Sequence, residues 1–145
     1  MTTSQVIVRL LSVDDSELFG HVAEDVFDDP VRMDLAVEYL NDPRHHIAVA
    51  LDGGVVVGMA SAVHYVHPDK PAQLFINEVG VAPSHQRRGI ASQLIARLLA
   101  HGRVLGCTEA WVAADEDNGP ARSLYAHVGG HEEPTRAVID TFPLA

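Results

Sequence analysis

Residues Glu78-Val79-Gly80-Val81-Ala82-Pro83-Ser84-His85-Gln86-Arg87-Arg88-Gly89-Ile90-Ala91 read as an apolar strand, a Pro-containing turn and a glycine at the mouth of an amphipathic helix. That layout aims a row of backbone N–H groups and two arginines at one point in space. The natural occupant of such a point is a diphosphate. Gly89 has no Cβ, so the loop backbone can approach phosphates closely. The helix N-terminus supplies unpaired N–H donors and partial positive charge, and Arg87 and Arg88 add charge-assisted contacts. A Walker-type loop would end Gly-Lys-Ser/Thr, and a dinucleotide fingerprint would carry three spaced glycines; the sequence has neither. Glu78 is a carboxylate upstream on the strand, where chemistry could run beside the bound anion.

Working outward, Val6–Leu11 is a β-rich run, and Ser12 or Asp14 can cap a helix through about Asp25. A second helix is expected from about Pro30 to Leu40, with Met33, Val37 and Leu40 at helical spacing, stopped by Asn41-Asp42-Pro43. His46–Leu51 and Val55–Val66 read as strands joined at Asp52-Gly53-Gly54. His67–Pro71 breaks the chain before a strand from Gln73 to Val81. Ile90, Leu94, Ile95, Leu98, Leu99 and Leu105 form the stripe of a helix from Arg88 to about Leu105, closed by Gly106. A short strand, Glu109–Ala114, precedes a helix that Gly119-Pro120 opens and Gly129-Gly130 closes. A last strand is expected over Arg136–Phe142. The order is β-α-α-β-β-β-α-β-α-β, an α/β (α+β) arrangement: a mixed sheet with helices on both faces.

The chain has 145 residues, a length suited to a single domain over 1–145. No apolar run is long enough for a membrane span. Met1–Gln5 shows no basic-then-apolar leader pattern, and the lone Cys107 excludes an internal disulfide, so a reducing cytoplasm is expected. The formal charge of −10 disfavours nucleic acid and favours a cationic small-molecule partner. Acid crowds Glu24–Asp34 and Asp115–Asp117, which makes the Arg87-Arg88 pair more telling. Nine histidines invite a metal reading, but neither His45-His46 nor His64-x-x-His67 has a second ligand pair at a recognised spacing, so no metal is expected. His64 and His67 flank the expected cleft loop and could touch substrate. Cys107 and Trp111 read as packing residues.

Gln86-Arg87-Arg88-Gly89-Ile90-Ala91 resembles the Gln/Arg-x-x-Gly-x-Gly/Ala pattern of GNAT-superfamily N-acetyltransferases. Downstream, Asn118-Gly119-Pro120-Ala121-Arg122-Ser123-Leu124-Tyr125 resembles the second acetyl-CoA motif of that superfamily, Asn-x-x-Ala-x-x-Leu-Tyr. The order of elements agrees over nearly the whole chain. Within the superfamily the type I aminoglycoside 3-N-acetyltransferases are the nearest likeness. Leu124, Tyr125, Gly129, Glu132 and Glu133, with Ile139-Asp140 near the end, carry it. Two departures stand out. Gly129-Gly130 replaces the usual Gly-Phe or Gly-Ile, so an apolar plug is lost, and Gly80 stands where an apolar residue is usual and could widen the cleft floor.

The resemblance implies a GNAT fold with a mostly antiparallel twisted sheet, acetyl-CoA as cosubstrate and a small cationic amine as acceptor. It also allows a homodimer, for which no sequence feature fixes an interface. It implies that the strand carrying Val79, Gly80 and Val81 splays from its neighbour and holds the pantetheine arm and thioester. Gln86, Arg87, Arg88, Gly89, Ile90, Ala91 and Ser92 would take the diphosphate; Asn118 would contact the pantetheine arm, cap its helix, or both; Ala121 and Tyr125 complete the cofactor set. The Val79 N–H is a candidate oxyanion donor. Glu78 is the candidate general base, directly or through water, and could also hold the ammonium group. A free glutamate titrates near ~4.3, so burial or a water relay is implied. Tyr125 is the candidate general acid toward the CoA sulfur. Asp28, Asp29, Asp115 and Asp140 are candidate contacts to an aminosugar. The competing readings are acetylation of a polyamine, another small amine or a protein N-terminus, and a non-catalytic acyl-CoA sensor.

Overall fold

The computed structural model describes residues 5–145. Five strands, β1 (Val6–Leu10), β2 (His45–Asp52), β3 (Val55–His67), β4 (Lys70–Val81) and β5 (Glu109–Val112), form one sheet in sequence order. All neighbours are antiparallel except β4 and β5, which are parallel and joined through α2 (Ile90–Val104). A parallel neighbour needs such a crossover. The remaining helices are α1 (Met33–Asn41) and α3 (Gly119–His127), with 3₁₀ segments at Val13–Gly20 and Pro83–His85.

Two adjacent histidines on β2 show that helices cover both faces. His46 meets His101 of α2 edge-on, with ring centroids 4.8 Å apart, whereas His45 stacks on Tyr39 of α1 at 4.7 Å. Successive strand side chains point to opposite faces, so α1 and α2 lie on opposite sides of the sheet. Burial, with His101 and His64 nearby, pushes the His46 imidazole down to about 4. The α2 face holds the core: Ile90, Leu94, Ile95 and Leu98 are buried against Ala48, Ala50, Ala60 and Leu74. Each such side chain contributes about 1.5–3 kcal/mol by leaving water.

The expected strands at β1 to β5 are present, and β3 and β4 run to within two residues of each other, pairing His67 with Lys70. Three expectations fail for physical reasons. The first helix does not reach Asp25; it is a 3₁₀ segment ending at Gly20, because the next residues bond to β3 instead. Val56 N–H donates to His21 O at 2.8 Å and Ala23 N–H to Val56 O at 2.9 Å. The second helix starts at Met33 rather than Pro30, since Arg32 keeps an extended backbone as its N-cap. The strand expected over Arg136–Phe142 does not form: residues 131–145 have neither helix nor strand and are exposed. Arg136 is held by Glu116 and Glu132, and Glu132 by Arg122, so the root of this segment is tied to α3 while the rest meets no strand.

Candidate active site

β4 pairs with β5 only over Gln73–Ile76. Its pairing with β3 continues to Val81, with a register shift that skips Asn77. Asn77 to Val81 therefore border β3 on one side and an open cleft on the other. This is the splay expected around Val79–Val81, and the bulge at Asn77 marks where β4 parts from β5. Glu78 N–H donates to Ser61 Oγ on β3 at 3.3 Å. Adjacent amides of a strand point to opposite edges, which turns the Val79 N–H toward the cleft.

The faces of β4 separate as strand alternation requires. Gly58, the partner of Val81, lies under Ile90 and Leu94 of α2. Gly80 faces the other side, where a Cβ would stand 2.1 Å from the Val26 carbonyl oxygen. Gly80 does not widen the cleft floor; it admits the crossing backbone at Val26, which any side chain there would force to shift. Glu78, two residues back on the same face, is thereby brought beside Asp28, two residues beyond Val26. Burial first, then Asp28 and Asp29, raise the Glu78 carboxyl above its ordinary value. Two carboxylates this close do not readily ionise together. Of the four aspartates expected at the amine site, Asp28 and Asp29 join Glu78. Asp115 sits in the turn before α3, its carbonyl accepting from Asn118 N–H at 3.0 Å, and Asp140 lies in the exposed C-terminal segment.

The phosphate-type loop is held from behind. Asp52 accepts from His85 Nε2–H at 2.7 Å, with Ser84 Oγ 2.7 Å from the other ring nitrogen, and Gln86 Nε2 donates to Val81 O at 3.1 Å. Arg87 (φ 62°) and Gly89 (φ 76°) both take left-handed backbone, which curls the loop over the start of α2. For Arg87 this is a strained position that glycine would fill more readily. Gly89 is the N-cap of α2 and offers no side-chain cap, so the first amides of the helix, at Ile90, Ala91 and Ser92, face outward unused. Arg87 and Arg88 have no ion-pair partner among the described residues, and nor do Arg97 and Arg103 on α2, whereas Arg9, Arg32, Arg44, Arg122 and Arg136 are paired; Arg87 and Arg88 are the two of the four that stand at the start of α2.

Asn118 caps α3: its Oδ1 accepts from Ala121 N–H at 3.1 Å. The capping use is thus present, and the side-chain NH₂ is left for another partner. Tyr125 is half-buried in α3 and lines a cavity of about 310 Å³ together with Ile76 and Val112, the last paired residues before the splay. Burial raises its phenol pKa. The Gly129-Gly130 pair closes α3 with a Schellman motif: Gly130 N–H donates to Tyr125 O at 2.9 Å and Gly129 N–H to Ala126 O at 3.1 Å. A Cβ on Gly130 would stand 2.8 Å from the Tyr125 oxygen. The second glycine trades an apolar plug for a tight stop directly behind Tyr125.

Two contributors escaped the sequence reading. Ser61 is the buried hydroxyl that receives the Glu78 amide, and Tyr39, pushed up to about 12 chiefly by burial, lies close enough to Glu78 to feel its charge. Neither sits in a motif: strand register reveals Ser61, and the packing of α1 on the sheet reveals Tyr39. Among the described residues no group of three or more His, Cys, Asp or Glu side chains could hold a metal ion.

Residues 7–129 match the model of the acetyltransferase (GNAT) family. An uncharacterized N-acetyltransferase of Mycobacterium tuberculosis (ATCC 25618 / H37Rv) is 29% identical over 68% of this chain. The match spans only 61% of that relative's length. An aminoglycoside N(6')-acetyltransferase type 1 of Salmonella typhimurium is 31% identical over 65% of this chain and 68% of its own. The fold is shared with the structure of AAC(6')-Iy in complex with the bisubstrate analog CoA-S-monomethyl-acetylneamine, at a TM-score of 0.77 and 23% identity, covering 97% of this chain and 99% of that one. With the family model matched over residues 7–129, and with the splayed β4 and uncapped α2 in agreement, the chain belongs to the GNAT acetyltransferase family.

Proposed function

We propose that this protein transfers the acetyl group of acetyl-CoA to a primary amine of a cationic aminosugar. One observation carries the reading: three carboxyl groups, Glu78, Asp28 and Asp29, gather at the open end of β4, the strand that leads into Arg87, Arg88 and an uncapped helix start. A pure acyl-CoA binder has no use for that acidic wall, while a polycationic amine does. The net charge of −10 adds a favourable long-range field for such a substrate.

Arg87, Arg88 and the Gln86–Ser92 backbone hold the diphosphate, and the open edge at Val79–Val81 aligns the thioester. Asp28 and Asp29 hold ammonium groups of the acceptor. Glu78, its pKa raised, accepts the proton of the attacking amine directly or through one water. The neutral amine then bonds to the thioester carbonyl carbon, the Val79 N–H stabilises the oxyanion, and the remaining extra proton on nitrogen passes to solvent as the adduct collapses to the amide. As the C–S bond breaks, the Tyr125 phenol, kept protonated by burial, gives its proton to the departing sulfur. The likeness around Leu124–Glu133 favours the 3-amino position, and the named Salmonella relative favours the 6′-amine.

The test is acetyl transfer from acetyl-CoA to a panel of aminoglycosides, polyamines and peptide N-termini, with the acetylated position mapped on each product. Turnover on aminoglycosides is expected, falling by about 10²–10⁴-fold in Glu78→Gln with CoA affinity kept. Turnover confined to the polyamines or peptides would sink the substrate assignment. CoA binding with no transfer at all would make the protein a sensor.

A further inference from the structure

The α1 face of the sheet carries an aromatic step beside the acidic wall. Cross-strand partners share a face. His45, stacked on Tyr39 of α1, pairs with Val63, and Val63 pairs with Phe75, so Phe75 lies on the α1 face. Leu74, its neighbour in the chain, meets Gly102 of α2 on the other side. Simple alternation would send Phe75 and Glu78 to opposite faces. The register instead passes from Ile76 opposite Ala62 to Glu78 opposite Ser61, skipping Asn77. The bulge that opens the splay therefore also makes Glu78 the next side chain after Phe75 on this face. The two positions stand roughly 7–10 Å apart along β4.

Trp111 of β5 pairs with Phe75 and stacks on it, with centroids 4.4 Å apart at an angle of 34°. Its Nε1–H donates to Tyr65 Oη at 2.7 Å, and the Tyr65 hydroxyl donates to Gln73 Oε1 at 3.1 Å. The indole is thus held by its ring and by its edge. Even so, Trp111 stays 44% and Tyr65 36% exposed. A large side chain that serves packing alone gains by full burial. An aromatic ring fixed in place and left half open is pre-organised for a ligand, because its ordering cost is met before binding.

We propose that Trp111, oriented by Phe75 and Tyr65, is a second acceptor subsite that stacks a further ring of the aminosugar whose amine is held at Glu78. The assignment rests on the acceptor reading given above. A saturated aminosugar ring has a C–H face that covers an indole, and its ammonium groups are drawn to the negative face of the ring. The acidic wall and the aromatic step lie side by side on one face, so a single molecule with two rings engages both. A linear polyamine carries the charge without a ring face. The step therefore favours cyclic over linear acceptors.

Trp111 is the only tryptophan of the chain, so intrinsic tryptophan emission reads this subsite alone. Titration with the two-ring aminoglycoside neamine is expected to change that emission saturably, and spermidine at the same concentrations is not. By calorimetry, Trp111→Ala is expected to weaken neamine binding about 10-fold, the worth of one cation–π and stacking contact at a partly exposed indole. Trp111→Phe, which keeps a ring, should recover most of the loss. CoA affinity and circular dichroism check that each variant is folded. Neamine that is acetylated yet leaves the emission unchanged, or that binds Trp111→Ala as tightly as the native protein, overturns the subsite and leaves the proposed activity standing. An equal emission change with spermidine overturns the subsite too. A saturable change with neamine but no acetyl transfer keeps the subsite and overturns the activity, and no neamine binding by either method overturns both.

Discussion

The two sides of the cleft at the open end of β4 are built in different ways. On the proposed cofactor side, Gln86 to Ser92 follow one another in the chain, and the turn that shapes them is braced by residues within a few positions, apart from Asp52. On the acidic side, Glu78 meets Asp28 across fifty positions of sequence, and only because the Val26 carbonyl crosses Gly80 with no room for a Cβ. The first side is local and rests on turn and helix-start chemistry. The second is a crossing, and it depends on one missing methyl group. Substitutions should therefore damage the two sides separately, and a variant that harms both would show that the cleft is one unit.

The largest effect is expected from Gly80→Ala. Its Cβ would overlap the Val26 oxygen, so either β4 or the crossing segment must move, at about 1–3 kcal/mol of stability. Displacing Val26 carries Asp28 away from Glu78. Thermal or denaturant unfolding should show the loss, and steady-state kinetics should show a raised KM for the amine with CoA affinity near native. Native stability together with a native amine KM would mean that the crossing does not set the acidic wall.

The reverse pattern is expected when Arg87→Ala and Arg88→Ala are combined. These exposed groups have no ion-pair partner among the described residues, so folding should be unaffected. CoA dissociation measured by calorimetry should weaken by about 10-fold or somewhat more, from losing charge-assisted contacts of roughly 1 kcal/mol each at an exposed site. The amine KM should hold. If CoA affinity stayed native, the anion site would lie elsewhere.

The smallest effect sharpens the acidic side. Burial is the first cause of the raised Glu78 pKa and Asp28 the second. A base works only when ionised, so the raised pKa sets the acid limb of the kcat/KM profile. Asp28→Asn removes a repulsive charge, lowers the Glu78 pKa, and should move that limb to lower pH without abolishing turnover. An unmoved limb would leave burial and Asp29 as the causes.

How far the sequence could be read follows the same division. The strands, the α2 stripe and the Gln86–Ala91 turn were legible because each is decided by residues a few positions apart. The segment before α1 was not. Val13–Gly20 has the composition of a helix start, but His21 O accepts from Val56 N–H and Ala23 N–H donates to Val56 O, and tertiary pairing overrides local preference. Residues 136–142 fail in the opposite sense: their β-propensity is real, and the protomer gives them no partner. Gly80 was visible as an oddity whose cause lay more than fifty positions upstream. Ser61 was not visible at all, since one serine in an apolar strand signals nothing until its register against Glu78 is known.

The sequence by itself determined the Gln86–Ala91 turn, the capped start of α3 at Asn118 and the placing of a carboxylate at Glu78, because short-range sterics and backbone hydrogen bonding specify them. Only the tertiary structure decided which aspartates stand with that carboxylate, where β4 leaves β5, and what Gly80 and Gly130 are for. Those depend on distances between segments far apart in the chain, which packing alone sets.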